Sequence, residues 1–213
     1  MSQTNIDSDL LDEIKSKQKT IQRPYFDFEE QKKQYKNYDF DNLTDIPEFL
    51  APGIGTKHRA VVTASMHDKA GNLSKNSPEA FEVLEHLRAK IEDNIDKYSF
   101  YKLTNNNSKV SIISFLASDL STKAALKELE KKNIKVNHLS LTTLFPVLKK
   151  PIIDLAKNSD YIIIPEVNFG GQYAEIIRGT ILEANPNCQI IKINSQADLI
   201  SPQRIITELE KHV

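Results

Sequence analysis

The sequence predicts an α/β chain: a three-layer domain with a mostly parallel sheet and helices on both faces, preceded by an irregular N-terminal arm and a long helix. Two observations lead there. From Lys109 onward, near-continuous apolar runs alternate with amphipathic stretches, the pattern of parallel strands buried between crossover helices. Before His58, by contrast, Pro24, Pro47, Pro52, Gly53 and Gly55 interrupt any period.

Taken in order, residues 1–58 form the arm. A short helix over Ser8 to Lys17 has only Leu10, Leu11 and Ile14 as a stripe. Tyr25, Phe26, Phe28, Tyr35, Tyr38, Phe40 and Phe49 are scattered among charges, which suits an extended segment lying on another surface. Residues 59–107 follow, opening with the β-like run RAVVTAS (Arg59 to Ser65) and the loop MHDKAGNLSKNS. Ser77 is an N-cap candidate, Pro78 fits the first helical position, and Glu79 and Glu82 suit the positive helix end. Phe81, Leu84, Leu87, Ile91, Ile95 and Tyr98 recur at helical spacing, predicting an amphipathic helix to about Tyr98. The loop TNNNS (Thr104 to Ser108) marks the domain boundary.

Residues 108–213 carry the α/β domain. VSIISF, IKVNHLSL, DYIIIP and CQIIKI read as strands. STKAALKELEKKN, KKPIIDLAKNS and GQYAEIIRGTILEAN read as helices, with Pro151 tolerable only in a first turn. Ser201 caps a last helix that has Pro202 in its first turn and Ile205, Ile206 and Leu209 inward.

Bulk properties narrow the function. The 213 residues are 39% hydrophobic and 27% charged, with a formal net charge of -1. That balance gives no support to a nucleic-acid or anionic-membrane partner. A single cysteine, Cys188, excludes an internal disulfide framework, and no stretch has the length and apolarity of a membrane span or signal peptide. The expectation is a cytoplasmic chain.

The most informative turn is PEVNFGGQ, at a strand's carboxyl end and a helix's amino end, where open α/β sheets bind ligands. Its amides are suited to an anion. Yet neither GxGxxG nor GxxxxGK[ST] is present, and Glu166 would repel a phosphate. The alternative is a glycine turn permitting close approach of a neighbouring element or chain. On that reading a bulky residue at Gly171 weakens assembly, and the domain's own fold survives if φ is negative. Among the histidines (His58, His67, His86, His138, His212), none lies in a zinc-type spacing. His67-Asp68 sits in a loop before Gly71, which favours turn and hydrogen-bonding roles. No GxSxG elbow accompanies the serines, and Cys188 opens an apolar strand as a buried thiol. No catalytic, cofactor or metal residue is assigned.

The run RAVVTASMHDKAGNLSKNSPEAFEVLEHLRAK resembles the segment closing the first domain of alpha subunits of 2-oxoacid:ferredoxin oxidoreductases. The matching features are Thr63, His67, Asp68, Gly71, Pro78 and Glu79, with Ser77 where that family usually has aspartate. RPYF and IPEFLAPG resemble the preceding linker. The domain from Lys109 onward resembles the family's second core domain, which is transketolase C-terminal-like. LSLTTLFP (Leu139 to Pro146) fits its leucine-rich strand exit, and E-x-N-x-x-G-Q falls on Glu166, Asn168, Gly171 and Gln172.

The resemblance implies the C-terminal part of such an alpha subunit, without the family's preceding thiamine diphosphate-binding domain. The family oxidatively decarboxylates a 2-oxoacid such as pyruvate or 2-oxoglutarate to acyl-CoA and passes electrons to ferredoxin. Thiamine diphosphate, Mg2+, an iron-sulfur cluster and CoA are implied for the full complex, with none bound by this chain alone. The implied partners are a beta subunit, the thiamine-binding domain and, through the complex, ferredoxin. His67, Asp68, Gly71, Glu166, Asn168, Gly170, Gly171 and Gln172 are then structural and interface positions. By itself the chain is expected not to be an enzyme. The competing reading is a non-catalytic assembly or regulatory α/β protein with an unrelated partner; a third is an α/β domain with a small anionic ligand.

Overall fold

A computed structural model describes residues 24–27, 34–50, 60–196 and 198–213. The Ser8 to Lys17 helix and His58 lie outside them. The chain divides into two compact units, Ser8–Lys97 and Tyr98–Val213.

In the first unit the described part of the arm is folded, which corrects the expectation of scattered exposed aromatics. Phe26 and Phe40 are buried, and Tyr25 and Phe49 form a parallel bridge, although Tyr25 stays exposed. The arm's aromatics find partners in residues 60–97: Phe40 stacks on His86 at 4.1 Å, and Tyr38 on His67 at 4.6 Å. Helix α1 (Pro78–Glu92) starts where the capping residues place it, with Ser77 Oγ accepting from Ala80 N at 3.1 Å. It ends at Glu92 rather than Tyr98, followed by a 3-10 turn over Ile95–Lys97. Its buried face is Ala80, Val83, His86 and Ala89, while Phe81 and Leu84 are exposed. Both stripes have helical spacing; the close stacking of Phe40 on His86 selects the one with small neighbours. Ala60 to Ser65 runs without strand pairing, so the predicted strand there does not form.

The second unit is the three-layer α/β domain. Its strands are β1 (Tyr101–Thr104), β2 (Val110–Phe115), β3 (Asn137–Leu141), β4 (Tyr161–Glu166) and β5 (Gln189–Asn194), in the order β1-β3-β2-β4-β5. Pairings among β3, β2, β4 and β5 are parallel, and β1 pairs antiparallel with β3. Because β1 joins this sheet, the division falls at Tyr98 and not in the loop before Ser108.

Four helices cover the sheet: α2 (Leu116–Lys131), α3 (Lys149–Ala156), α4 (Gln172–Ala184) and α5 (Pro202–Leu209). α2 packs with α5, and α3 with α4. Side-chain alternation along the strands assigns the faces. Val110, Ile112, Ile163 and Ile193 pack with Ala125, Leu129, Ile205 and Leu209 beneath α2 and α5. The intervening residues Ile113, Ile162 and Ile164, all fully buried, turn to the opposite face. Ser201 caps α5 as its position before Pro202 predicts, accepting from Arg204 N at 3.3 Å. Among the described residues no helix is long and apolar enough to cross a membrane.

Candidate functional site

β2 and β4 are neighbours whose connections leave in opposite directions, to β3 and to β5. Such a divergence is where open α/β sheets bind ligands, beyond the strands' carboxyl ends. Two turns flank it: Phe115-Leu116 after β2, and Val167 to Gly171 after β4.

The second turn is closed by its own residues. Glu166 ends β4 with 1% of its surface exposed. Its Oε2 accepts from Tyr173 N at 2.9 Å and Asn168 Nδ2 at 2.7 Å, and Oε1 accepts from Ala174 N at 2.8 Å. Asn168 Oδ1 accepts from Gly171 N at 2.6 Å and Gln172 N at 3.2 Å. Together the carboxylate and carboxamide take all four amides that open α4, the donors a helix cannot satisfy internally. A carboxylate at this end also complements the helix dipole. An anion seated here would have to displace Glu166, so the cradle reading of this turn does not hold.

Gly171 has φ +63, and a Cβ there would lie 2.6 Å from Lys192 Cδ and 3.0 Å from Asn194 Oδ1. The condition under which the fold would tolerate a bulky residue is therefore not met, since both left-handed backbone and lack of space oppose one. Gly170 has nothing within 4 Å of a built Cβ, and Phe169 is 77% exposed. Asn194 Nδ2 donates to Phe169 O at 2.9 Å, tying the turn to the end of β5.

The β2 side is filled by rings. Phe115 meets Tyr173 edge-on with centroids 5.1 Å apart. The Tyr173 hydroxyl is buried and has no hydrogen-bond partner among the described residues. Burial, with the charge of Glu166, pushes its pKa up to about 12.

Beneath α2 lies a buried polar group that sequence reading missed. Ser114 Oγ donates to Asp119 Oδ1 at 2.7 Å and meets His138 Nε2 at 2.7 Å. His138 Nε2 is also 3.2 Å from Asp119 Oδ1, and Lys123 Nζ is 3.0 Å from Oδ2. The residue types are those of a hydrolytic triad, but the arrangement is not. A relay needs the two imidazole nitrogens to face serine and carboxylate separately. Here Nε2 faces both, and Ser114 is fully buried. The group ties β2, β3 and α2 together. Burial opposes ionisation of Asp119, but hydrogen bonds from His138, Ser114 and Lys123 outweigh it and hold the carboxyl well below the usual range. No local motif signals this cluster, because His138 arrives from a separate strand.

His67, Asp68 and Gly71 form a turn in the first unit. Asp68 Oδ1 accepts from Asn72 N at 2.9 Å, Gly71 N donates to Asp68 O at 3.0 Å, and Gly71 has φ +88. His67 Nδ1 lies 3.2 Å from Asp68 O. Every one of these groups is engaged within the turn. Cys188 is buried, which pushes its thiol up to about 11, away from nucleophilic reactivity.

Two curated relatives match this chain, and both are 2-oxoglutarate synthase subunit KorA. The one from Methanothermobacter marburgensis is 27% identical over 129 residues, covering 60% of this chain and 34% of the relative. The one from Methanocaldococcus jannaschii is 28% identical over 152 residues, covering 70% and 39%.

The chain is similar to part of KorA.

It spans little more than a third of the length of these KorA proteins. The solved 2-oxoglutarate:ferredoxin oxidoreductase from Magnetococcus marinus, with 2-oxoglutarate, coenzyme A and succinyl-CoA bound, superposes with a TM-score of 0.71. That overlap covers 90% of this chain and 32% of the other at 23% identity, so it establishes the fold. A split-gene transketolase, an inactive beta4 tetramer, overlaps 53% of this chain at a TM-score of 0.42. No family model matches. The KorA matches bear out the resemblance drawn from the sequence, and the superposition bears out the α/β fold.

The described residues assemble no donor set for an iron-sulfur cluster or a diphosphate. Among the described residues no three His, Cys, Asp or Glu side chains gather as a metal site. One cysteine does not supply the four thiolates of a cubane cluster. The α4 amides that a diphosphate would use are already held by Glu166 and Asn168.

Proposed function

We propose that this chain is the C-terminal part of the alpha subunit of a thiamine diphosphate-dependent 2-oxoacid:ferredoxin oxidoreductase, serving as scaffold and subunit interface. The observation that carries this is the match to KorA over 60% and 70% of the chain. The closed turn at Glu166 supports the non-catalytic role, since the site where this fold class binds anions is filled from within. In this reading the rest of the alpha subunit and the beta subunit hold thiamine diphosphate, Mg2+, the iron-sulfur cluster and CoA, and the complex works in the cytoplasm. The names of the relatives favour 2-oxoglutarate as the 2-oxoacid. His67, Asp68 and Gly71 with the Glu166 to Gln172 turn shape surfaces presented to those companions.

The test is reconstitution. The remaining part of the alpha subunit and the beta subunit from the same source are assayed for 2-oxoglutarate- and CoA-dependent ferredoxin reduction. Activity should appear with this chain and fall sharply without it. Full activity in its absence would overturn the proposal.

A further inference from the structure

Two points of the arm meet α1 at one side chain that can change its charge. His86 belongs to the buried face of α1 and has no exposed surface. Its ring stacks on Phe40 with the planes 9° apart, and its Nδ1 lies 2.8 Å from the Leu43 carbonyl oxygen. A carbonyl oxygen only accepts, so in the neutral ring Nδ1 carries the proton and Nε2 is bare. Nε2 is buried and has no hydrogen-bond partner among the described residues. The site holds a neutral imidazole well enough, but offers nothing to accept from a second N–H.

The charges around the ring do not make good that lack. Asp45, from the arm, favours an imidazolium, but its carboxylate already accepts from Asn42 N at 2.8 Å and Asp41 N at 3.3 Å. Lys90, one turn along α1, and Lys69, from the loop before α1, oppose a further positive charge. On α1 itself, Glu79 accepts from Lys69 N at 3.2 Å, Glu82 pairs with Lys69 Nζ at 2.9 Å, and Glu85 pairs with Arg88. Lys69 Nζ also sits 4.1 Å from the centroid of Phe40. An ammonium and an imidazole cannot share one face of the ring at such distances, so Phe40 lies between them. The cation–π attraction an imidazolium could gain there is therefore already engaged by Lys69. Burial, the largest effect, pushes His86 below its ordinary value, with the Leu43 carbonyl and Asp45 opposing.

We infer that His86 is a pH-operated latch: protonation at Nε2 releases the Phe40 to Leu43 stretch from α1 while α1 itself stays folded. Anchors on either side bound the released stretch. Tyr38 N donates to Lys69 O at 2.9 Å and Tyr38 stacks on His67, while Phe49 N donates to Pro24 O at 2.8 Å. Once the stretch is released, Nε2 reaches water and His86 titrates near its ordinary value of about 6.5. Below that pH the closed form binds fewer protons than the open one. Opening then gains up to about tenfold per pH unit, until the closed form is protonated too. Above pH 7 the latch is shut.

Amide hydrogen exchange of the full chain from pH 7.5 to 5.0, corrected for intrinsic rates, tests this. Protection in peptides covering residues 39–48 should fall by up to about tenfold per pH unit below pH 6.5, with α1 unchanged. His86→Phe keeps a ring against Phe40 but takes no proton, so exchange in those peptides should lose its pH dependence. His67→Phe, which keeps the stack on Tyr38, should retain it. A measurement needing no variant is the nuclear magnetic resonance titration of the His86 ring in wild type. Its midpoint should lie below that of a peptide covering residues 80–92, and a midpoint at or above the peptide's would overturn the latch. So would a pH dependence that survives His86→Phe or vanishes in His67→Phe. Exchange of α1 in step with residues 39–48 would mean that the helix unfolds with them, and would equally overturn it.

Discussion

Replacing Glu166 with glutamine keeps the side chain's shape and removes its charge. The carboxylate receives Asn168 Nδ2 and Tyr173 N on one oxygen and Ala174 N on the other. A carboxamide has a single acceptor oxygen. Placed toward Asn168 and Tyr173, it keeps two bonds without charge assistance and turns its own NH2 group toward Ala174 N. Losing charge assistance costs about 1 kcal/mol per bond, and a buried amide left without an acceptor costs about 1–3 kcal/mol. Relief from burying a charge offsets part of this. The net expectation is a loss of about 2–4 kcal/mol, or roughly 8–16 °C in melting temperature for a unit of this size. Urea unfolding of the full chain, followed by far-ultraviolet circular dichroism, measures it. Millimolar phosphate should not restore the loss. A change below about 1 kcal/mol, or rescue by phosphate, would refute the internal-cap reasoning.

Gly171→Ala should destabilise the second unit by about 1–2 kcal/mol from left-handed backbone alone, more with the Lys192 contact, whereas Gly170→Ala should be nearly neutral; paired melting curves test the contrast. Acidification should weaken the two units in different windows. Burial lowers the pKa of His86, with the Leu43 carbonyl opposing, so below about pH 6.5 the unfolded first unit takes up a proton the folded one resists, and its stability falls. Asp119 is depressed, so its contribution is complete above its unfolded value near 3.9 and is lost only as pH falls further; thermal melts from pH 7 to 3 should show the first unit weakening first. A polypeptide beginning at Tyr98 should fold cooperatively, and one beginning at Ser108 should be less stable because it lacks β1 and uncovers the edge of β3; urea midpoints compare them.

What could be read in advance follows from how local the determinants are. β2, β3 and β4 were legible because they are buried along nearly their whole length and dense in isoleucine, leucine and valine, β5 because Ile190, Ile191 and Ile193 carry the same signal, and Ser77 and Ser201 because each cap and its proline are adjacent. β1 was not, since its four residues are all exposed and pair with β3 some forty positions away. The start of α2 was missed because Phe115 is no capping residue and Leu116 enters the helix at φ +49. For α1, two adjacent stripes shared one period, and the deciding partner, Phe40, lies in a segment with no period at all. At the turn, Glu166, Asn168 and Gly171 stood out as a motif, but their direction did not: whether a carboxylate repels a guest or occupies its place depends on where the α4 amides point.

The role in assembly comes down to mass. This chain and a polypeptide corresponding to the rest of the KorA-like subunit, produced separately and mixed, are examined by native mass spectrometry. A complex with one copy of each is the predicted outcome. Two species that keep their separate masses at every salt concentration would contradict the account.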